Sequence, residues 1–102
     1  MATDTFKKLN GISYLSDGNI QYSTINGSIL DYVKGSCPMG ISFAYTQNAT
    51  DAKAPGSVSI TMIVKPSGDG KYSRLYQFLG VDIYHATWQG DIPTSITWVN
   101  MT

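Results

Sequence analysis

Cys37 is the only thiol in the sequence and His85 the only imidazole, so thiol nucleophile chemistry would have to be built from that one pair. Neither stands in a context that favours it. Cys37 is followed by Pro38, which biases it toward an extended turn and away from the electropositive helix N-terminus that activates a thiolate. His85 lies in a run that alternates like a strand, close to Trp88. Glycoside hydrolysis needs two carboxylates flanking one bond. The best placed, Asp69 and Asp91, both fall in turn sequences where Asp is already accounted for. With one His and one Cys there is no zinc ligand set, and no glycine-rich loop leads into a helix to hold phosphate. Calcium bound by turn aspartates is not specified by any spacing. These residues predict a non-catalytic chain with no cofactor and no metal.

The elements that would position such side chains are strands. Val58, Ile60, Met62 and Val64 lie on one face with Ser57, Ser59 and Thr61 opposite, the pattern of a half-buried strand. Ile41, Phe43 and Tyr45 alternate with Ser42, Ala44 and Thr46 in the same way. Further strands are expected over 71–79, 81–88 and 95–99, with weaker ones over 12–15 and 19–23. Residues 28–34 fit either an extended edge, which is favoured, or a helical turn capped by Ser28. Asp17-Gly18, Asn26-Gly27, Asp69-Gly70 and Gln89-Gly90-Asp91 mark reversals, and Pro66-Ser67-Gly68-Asp69-Gly70 is the strongest hairpin signal. The longest loop is expected over 47–56, and loops of that length are more often functional than shorter ones.

Composition agrees. All seven acidic residues are Asp and none is Glu, which favours turns over helix interiors. The 102 residues suffice for one domain over 11–102, preceded by a polar lead-in or linker over 1–10. The expected fold is all-β, a small antiparallel β-sandwich or barrel-like knob. Seven basic residues balance the seven acidic ones, which argues against nucleic acid as a partner. No apolar run is long enough to span a membrane as a helix. A single cysteine excludes an intrachain disulfide. Asn-x-Ser/Thr triplets at Asn26, Asn48 and Asn100 are too easily supplied by chance in a chain this rich in these residues to carry an argument.

Seven Tyr, three Phe and two Trp are more than one small core obviously needs. Such rings also suit exposed surfaces that hold sugars or proteins. The candidate ligand-binding residues are Tyr45, Tyr72, Arg74, Tyr76, Tyr84 and Trp88, together with the 47–56 loop. Alternation alone does not say which parity faces the core, so half of them are candidates for burial.

From Pro38-Met39-Gly40-Ile41 onward the order of motifs is suggestive. A polar loop ends in Pro55-Gly56, the strand Val58 to Val64 follows, then Tyr72-Ser73-Arg74-Leu75-Tyr76-Gln77-Phe78, Ile83-Tyr84-His85-Ala86-Thr87 and a closing Ser95-Ile96-Thr97-Trp98. Over residues 29–102 this resembles the C-terminal knob modules of phage tail fibres, baseplate appendages and tailocin fibres (the pyocin-knob type). Arg74, Gln77, Tyr84 and Trp98 match the pattern; Ala86 stands where that family carries Arg, and Ser95 where it carries a first Trp. The resemblance implies a virion protein assembled in the host cytoplasm, forming a homotrimer at a fibre tip and binding a bacterial cell-surface glycan or polymer. The alternative function is a carbohydrate-binding or adhesin-like module of a bacterial surface protein.

Overall fold

The computed structural model describes the backbone of residues 8–9, 12–14, 20–65 and 72–102, and the side chains of 23–65 and 73–102. The turns at Asp17-Gly18 and 66–70 lie outside the described residues, as does most of the 1–10 lead-in. The strands are β1 (Lys8–Leu9), β2 (Ile12–Tyr14), β3 (Ile20–Thr24), β4 (Gly40–Tyr45), β5 (Ile60–Lys65), β6 (Tyr72–Leu79), β7 (Asp82–Gln89) and β8 (Val99–Asn100). They lie side by side in chain order. The chain is all-β as expected, with one short helix, α1 (Ile29–Gly35), between β3 and β4. Every strand pair is antiparallel except β3 and β4, so the sheet is mixed.

That parallel pair follows from the helix. Parallel neighbours need a crossover, and α1 supplies it. The extended reading of residues 28–34 is thereby corrected, for reasons that are mainly tertiary. A seven-residue helix is too short to be stable alone, and its ends are bonded by groups distant in sequence. Ser28 caps locally, its hydroxyl accepting from the Asp31 amide at 3.2 Å. Asp51, in the loop after β4, then accepts from the Ile29 amide at 2.7 Å, the Leu30 amide at 3.2 Å and the Ser28 hydroxyl at 2.8 Å. At the other end Lys65 donates to the carbonyls of Val33 at 2.8 Å and Cys37 at 3.2 Å. An anion at the N-terminus and a cation at the C-terminus both complement the helix dipole.

The strand expected over 95–99 is also shorter than the sequence suggests, since only Val99–Asn100 pairs with β7. Ile96 and Trp98 instead pack against the core, and the Trp98 indole donates to the Asp51 carbonyl at 3.0 Å. Between β6 and β7 the register opposes Leu79 to Asp82, leaving Gly80-Val81 as a two-residue hairpin loop. Gly80 has φ of 61°, the left-handed conformation such a loop demands at its first position.

Helix and loop cover one face of the sheet. Ile29 and Val33 of α1, with Ala49 and Ala52 of the loop, are buried over Ala44, Ile63, Leu75 and Ala86 of the strands, and Leu30 is buried as well. This face also buries Ser42, Thr46, Ser59, Thr61 and Gln77. Apart from Ser42, they form a chain: Thr46 Oγ1 lies 2.6 Å from Ser59 Oγ and 3.0 Å from Thr61 Oγ1. Gln77 donates to Thr61 at 3.0 Å and accepts from the Lys53 amide at 3.0 Å. Among the described residues no buried side-chain N or O is left without a partner, as burial of polar groups requires. Small residues on these strands let helix and loop approach closely.

Removing the Asp51 carboxylate should therefore loosen helix, loop and sheet together. Asp51→Ala is expected to lower unfolding free energy by about 2–4 kcal/mol in urea titration, from lost charge-assisted and capping bonds. Lys65→Met, which keeps the aliphatic stem, should cost about 1 kcal/mol.

Candidate functional site

The opposite face of the sheet is where the apolar parity points. Ile41, Phe43 and Tyr45 on β4 stand across from Val64, Met62 and Ile60 on β5. Those in turn oppose Arg74, Tyr76 and Phe78 on β6. The row continues to Thr87, His85 and Ile83 on β7, and to Val99 on β8. Val58 extends the same parity ahead of β5, and Met101, whose amide donates to the Ile83 carbonyl at 2.8 Å, extends it beyond β8.

In an ordinary two-layer domain this face would carry the core. Here Ile41 is 50% exposed, Phe78 41%, Val58 62%, Val99 55% and Met101 56%, and Tyr45 and Ile83 are also more than one-third exposed. Contiguous exposed apolar side chains in such number make this face the candidate interaction surface. The alternation read from β5 thus holds, with the polar parity buried and the apolar one outward. The buried polar parity is satisfied by bonds among Thr46, Ser59, Thr61 and Gln77 and by the Lys53 amide of the loop, which donates to Gln77.

The six candidate residues divide between the two faces. Tyr45, Arg74 and Tyr76 lie on the open one. By register Tyr72, opposite Gln89, falls in the same row, though its side chain is outside the described residues. Tyr84 and Trp88 are on the covered face: Lys53 Nζ sits 5.4 Å from the centroid of the Tyr84 ring, and Trp88 packs against the core. They are not brought together with the other four. Nor is the 47–56 loop, which is folded down on the covered side. It is closed by bonds between Gln47 and Gly56 in both directions, and tied to β3's exit by Asn48 and Thr50.

Phe78, Ile83, Val99 and Met101 belong to the open face and were missing from the sequence-based set. The signal that could have found them was the shared parity of aliphatic and aromatic positions. Weighting the polar-tipped rings of Tyr and Trp obscures it.

Within this face Arg74, Tyr76 and His85 are in contact. Arg74 Nη1 donates to the Tyr76 hydroxyl at 3.4 Å, and the Tyr76 and His85 rings lie 5.1 Å apart at 31°. Cys37 is on the other side of the sheet, buried in the helix-side core with its Sγ 3.7 Å from Ser42 Oγ. The sheet separates thiol from imidazole. Burial pushes the Cys37 thiol above its ordinary value of 9.0, against a partial lowering by the Ser42 hydrogen bond and by Lys65. The neighbouring Tyr32 phenol is raised as well, first by burial and then by Cys37. Among the described residues no three His, Cys or Asp side chains are grouped to hold a metal ion. No described helix is long and apolar enough to cross a membrane.

The two faces should answer differently to substitution. Val58→Thr and Val99→Thr are expected to change stability by no more than about 0.5 kcal/mol, and Ile63→Ala, on the covered face, to cost about 2–5 kcal/mol, both measured by urea unfolding. A thiol whose folded pKa is raised contributes stability that is complete below the unfolded value and fades as pH rises through the folded one. Stability should accordingly fall as pH climbs past 9.0, and Cys37→Ala should flatten that part of the profile.

Searched against family models, curated proteins and solved structures, the chain finds no match in any of the three.

Proposed function

We propose that the chain is a non-catalytic host-recognition or structural tip domain of a phage tail fibre or baseplate protein, binding bacterial surface glycan through the open sheet face. The observation that carries the reading is that face itself. Aromatic and aliphatic side chains on four long strands and β8 are held outward, while the opposite face is tied down by helix, loop and hydroxyl ladder. A rigid sheet is a suitable platform, since side chains on paired strands are positioned more closely than those on loops. The motif order over residues 29–102 adds the phage fibre context, and with it a virion protein made in the host cytoplasm. Gln77 and Trp98, two of the residues matching that order, bond within the fold, while Arg74 faces outward on the platform.

Single contacts on an open face give modest affinity, so the reading includes a homotrimer, in which linked copies multiply weak binding. Static light scattering together with an array of purified bacterial capsular polysaccharides and lipopolysaccharides tests it. The expected result is three times the 11.1 kDa chain mass and binding to a subset of glycans that Tyr45→Ala and Phe78→Ala weaken at least tenfold. A trimer that binds no glycan and no bacterial surface would leave only the structural tip. A monomer that binds none of them would sink the reading.

A further inference from the structure

The open face is not uniform. Its polar groups centre on β6 and β7, where the Arg74 guanidinium meets Tyr76 and Tyr76 meets His85. The described strand positions of this face comprise aliphatic and aromatic residues with Arg74, Thr87, His85 and Gln89, and no carboxylate. Asp82 has the other parity, opposite Leu79. Asp31 is on α1 and Asp51 caps it, both on the covered side. Arg74 is exposed, and its hydrogen bond to Tyr76 uses one of five guanidinium N–H groups. The remaining fork is the geometry that pairs with a planar carboxylate in two parallel bonds. Beside it, Tyr76 and His85 present a ring pair, with Phe78 and Ile83 as an apolar margin one pleat further along the strands.

We propose that Arg74, Tyr76 and His85 form a subsite for an acidic saccharide, a sugar unit bearing a carboxylate. The carboxylate pairs with the Arg74 guanidinium, the apolar side of the sugar ring rests on Tyr76, and the imidazole of His85 hydrogen-bonds a ring hydroxyl. The inference rests on the reading of this face as a glycan surface and narrows it by charge. The occupant is acidic because the described strand positions of this face hold the Arg74 guanidinium and no carboxylate, so an acidic ligand meets complementary charge and a neutral one does not use it. A sugar phosphate offers a similar anion, so carboxylate and phosphate sources are separated in the test.

The probes are polygalacturonate, a phosphorylated mannan and neutral dextran, applied to the full chain by affinity gel electrophoresis and calorimetry. Polygalacturonate is expected to bind tightest, with an affinity that falls as salt is raised. Arg74→Gln and Tyr76→Ala should each weaken it at least tenfold and His85→Gln a few-fold. Arg74→Lys, which keeps charge but not the fork, should recover only part of the loss. Lys34→Gln, an exposed cation on α1, should leave binding unchanged. Urea unfolding of each variant confirms that the fold is retained. Preference for the phosphorylated mannan would overturn the carboxylate assignment. Equal binding of dextran and polygalacturonate, or binding indifferent to Arg74→Gln, would overturn the subsite while leaving the face a glycan binder. Retention of none of the three polymers by a chain that still binds bacterial glycans on the array would overturn the subsite alone, whereas silence on the array as well would take the glycan reading with it.

Discussion

The fold depends on a helix that cannot stand by itself. Seven residues form α1, and its free amides and carbonyls are met by two charged side chains from elsewhere in the chain, Asp51 at one end and Lys65 at the other. Asp51 does more than cap. Its carbonyl accepts from the Trp98 indole, so one residue joins the crossover helix, the loop after β4 and the C-terminal segment. The parallel pairing of β3 with β4, and hence the order of the whole sheet, follows from having the crossover held there.

A second consequence is the choice of buried face. The loop brings the Lys53 amide down onto Gln77, and a purely aliphatic strand face would leave that amide without a partner. The hydroxyl ladder of Thr46, Ser59 and Thr61, ending in Gln77, provides acceptors and donors at those points and is narrow enough for close approach. Apolar burial is supplied mainly by Ile29, Leu30 and Val33 from above and by Ile63 and Leu75 from below. With the polar parity committed inward, the pleat forces Ile41, Tyr45, Phe78 and Ile83 outward, because adjacent strand residues must face opposite ways.

This explains what was legible in the sequence. Alternation and turn residues located the long strands β4 to β7 to within a few residues, because both signals are local. The helix was not legible in the same way: Ser28 and the Ile29, Leu30, Val33 spacing were present, but the bonds that decide it come from Asp51 and Lys65, more than twenty residues away. The facing of the strands was illegible for a related reason. A Ser-Thr parity ordinarily points to water; here Ser59 and Thr61 are buried and bonded to Thr46 and Gln77 instead. The candidate site inherited this ambiguity. Tyr45, Arg74 and Tyr76 share one parity and emerged together, whereas Tyr84 and Trp88, one position out of phase with Ile83 and His85, went under the cover. The long loop was chosen for its length and polarity, yet its Asp51 and buried Ala49 and Ala52 make it part of the scaffold.

The two faces are therefore under separate constraints. Each covered-face side chain has partners in helix, loop or ladder, and changing one disturbs several. On the open face the neighbours are cross-strand pairs, each worth only a fraction of a kcal/mol to about 1 kcal/mol, so its side chains can be exchanged while the clamp and ladder keep the backbone in place. A surface whose composition is nearly independent of stability is suited to following a changing target. Aliphatic residues there would be a liability in a chain that met only water, and under the proposed reading a bound glycan covers them. The Arg74–Tyr76–His85 cluster gives that cover a direction of charge, since it is the part of the face that apolar contact alone does not account for.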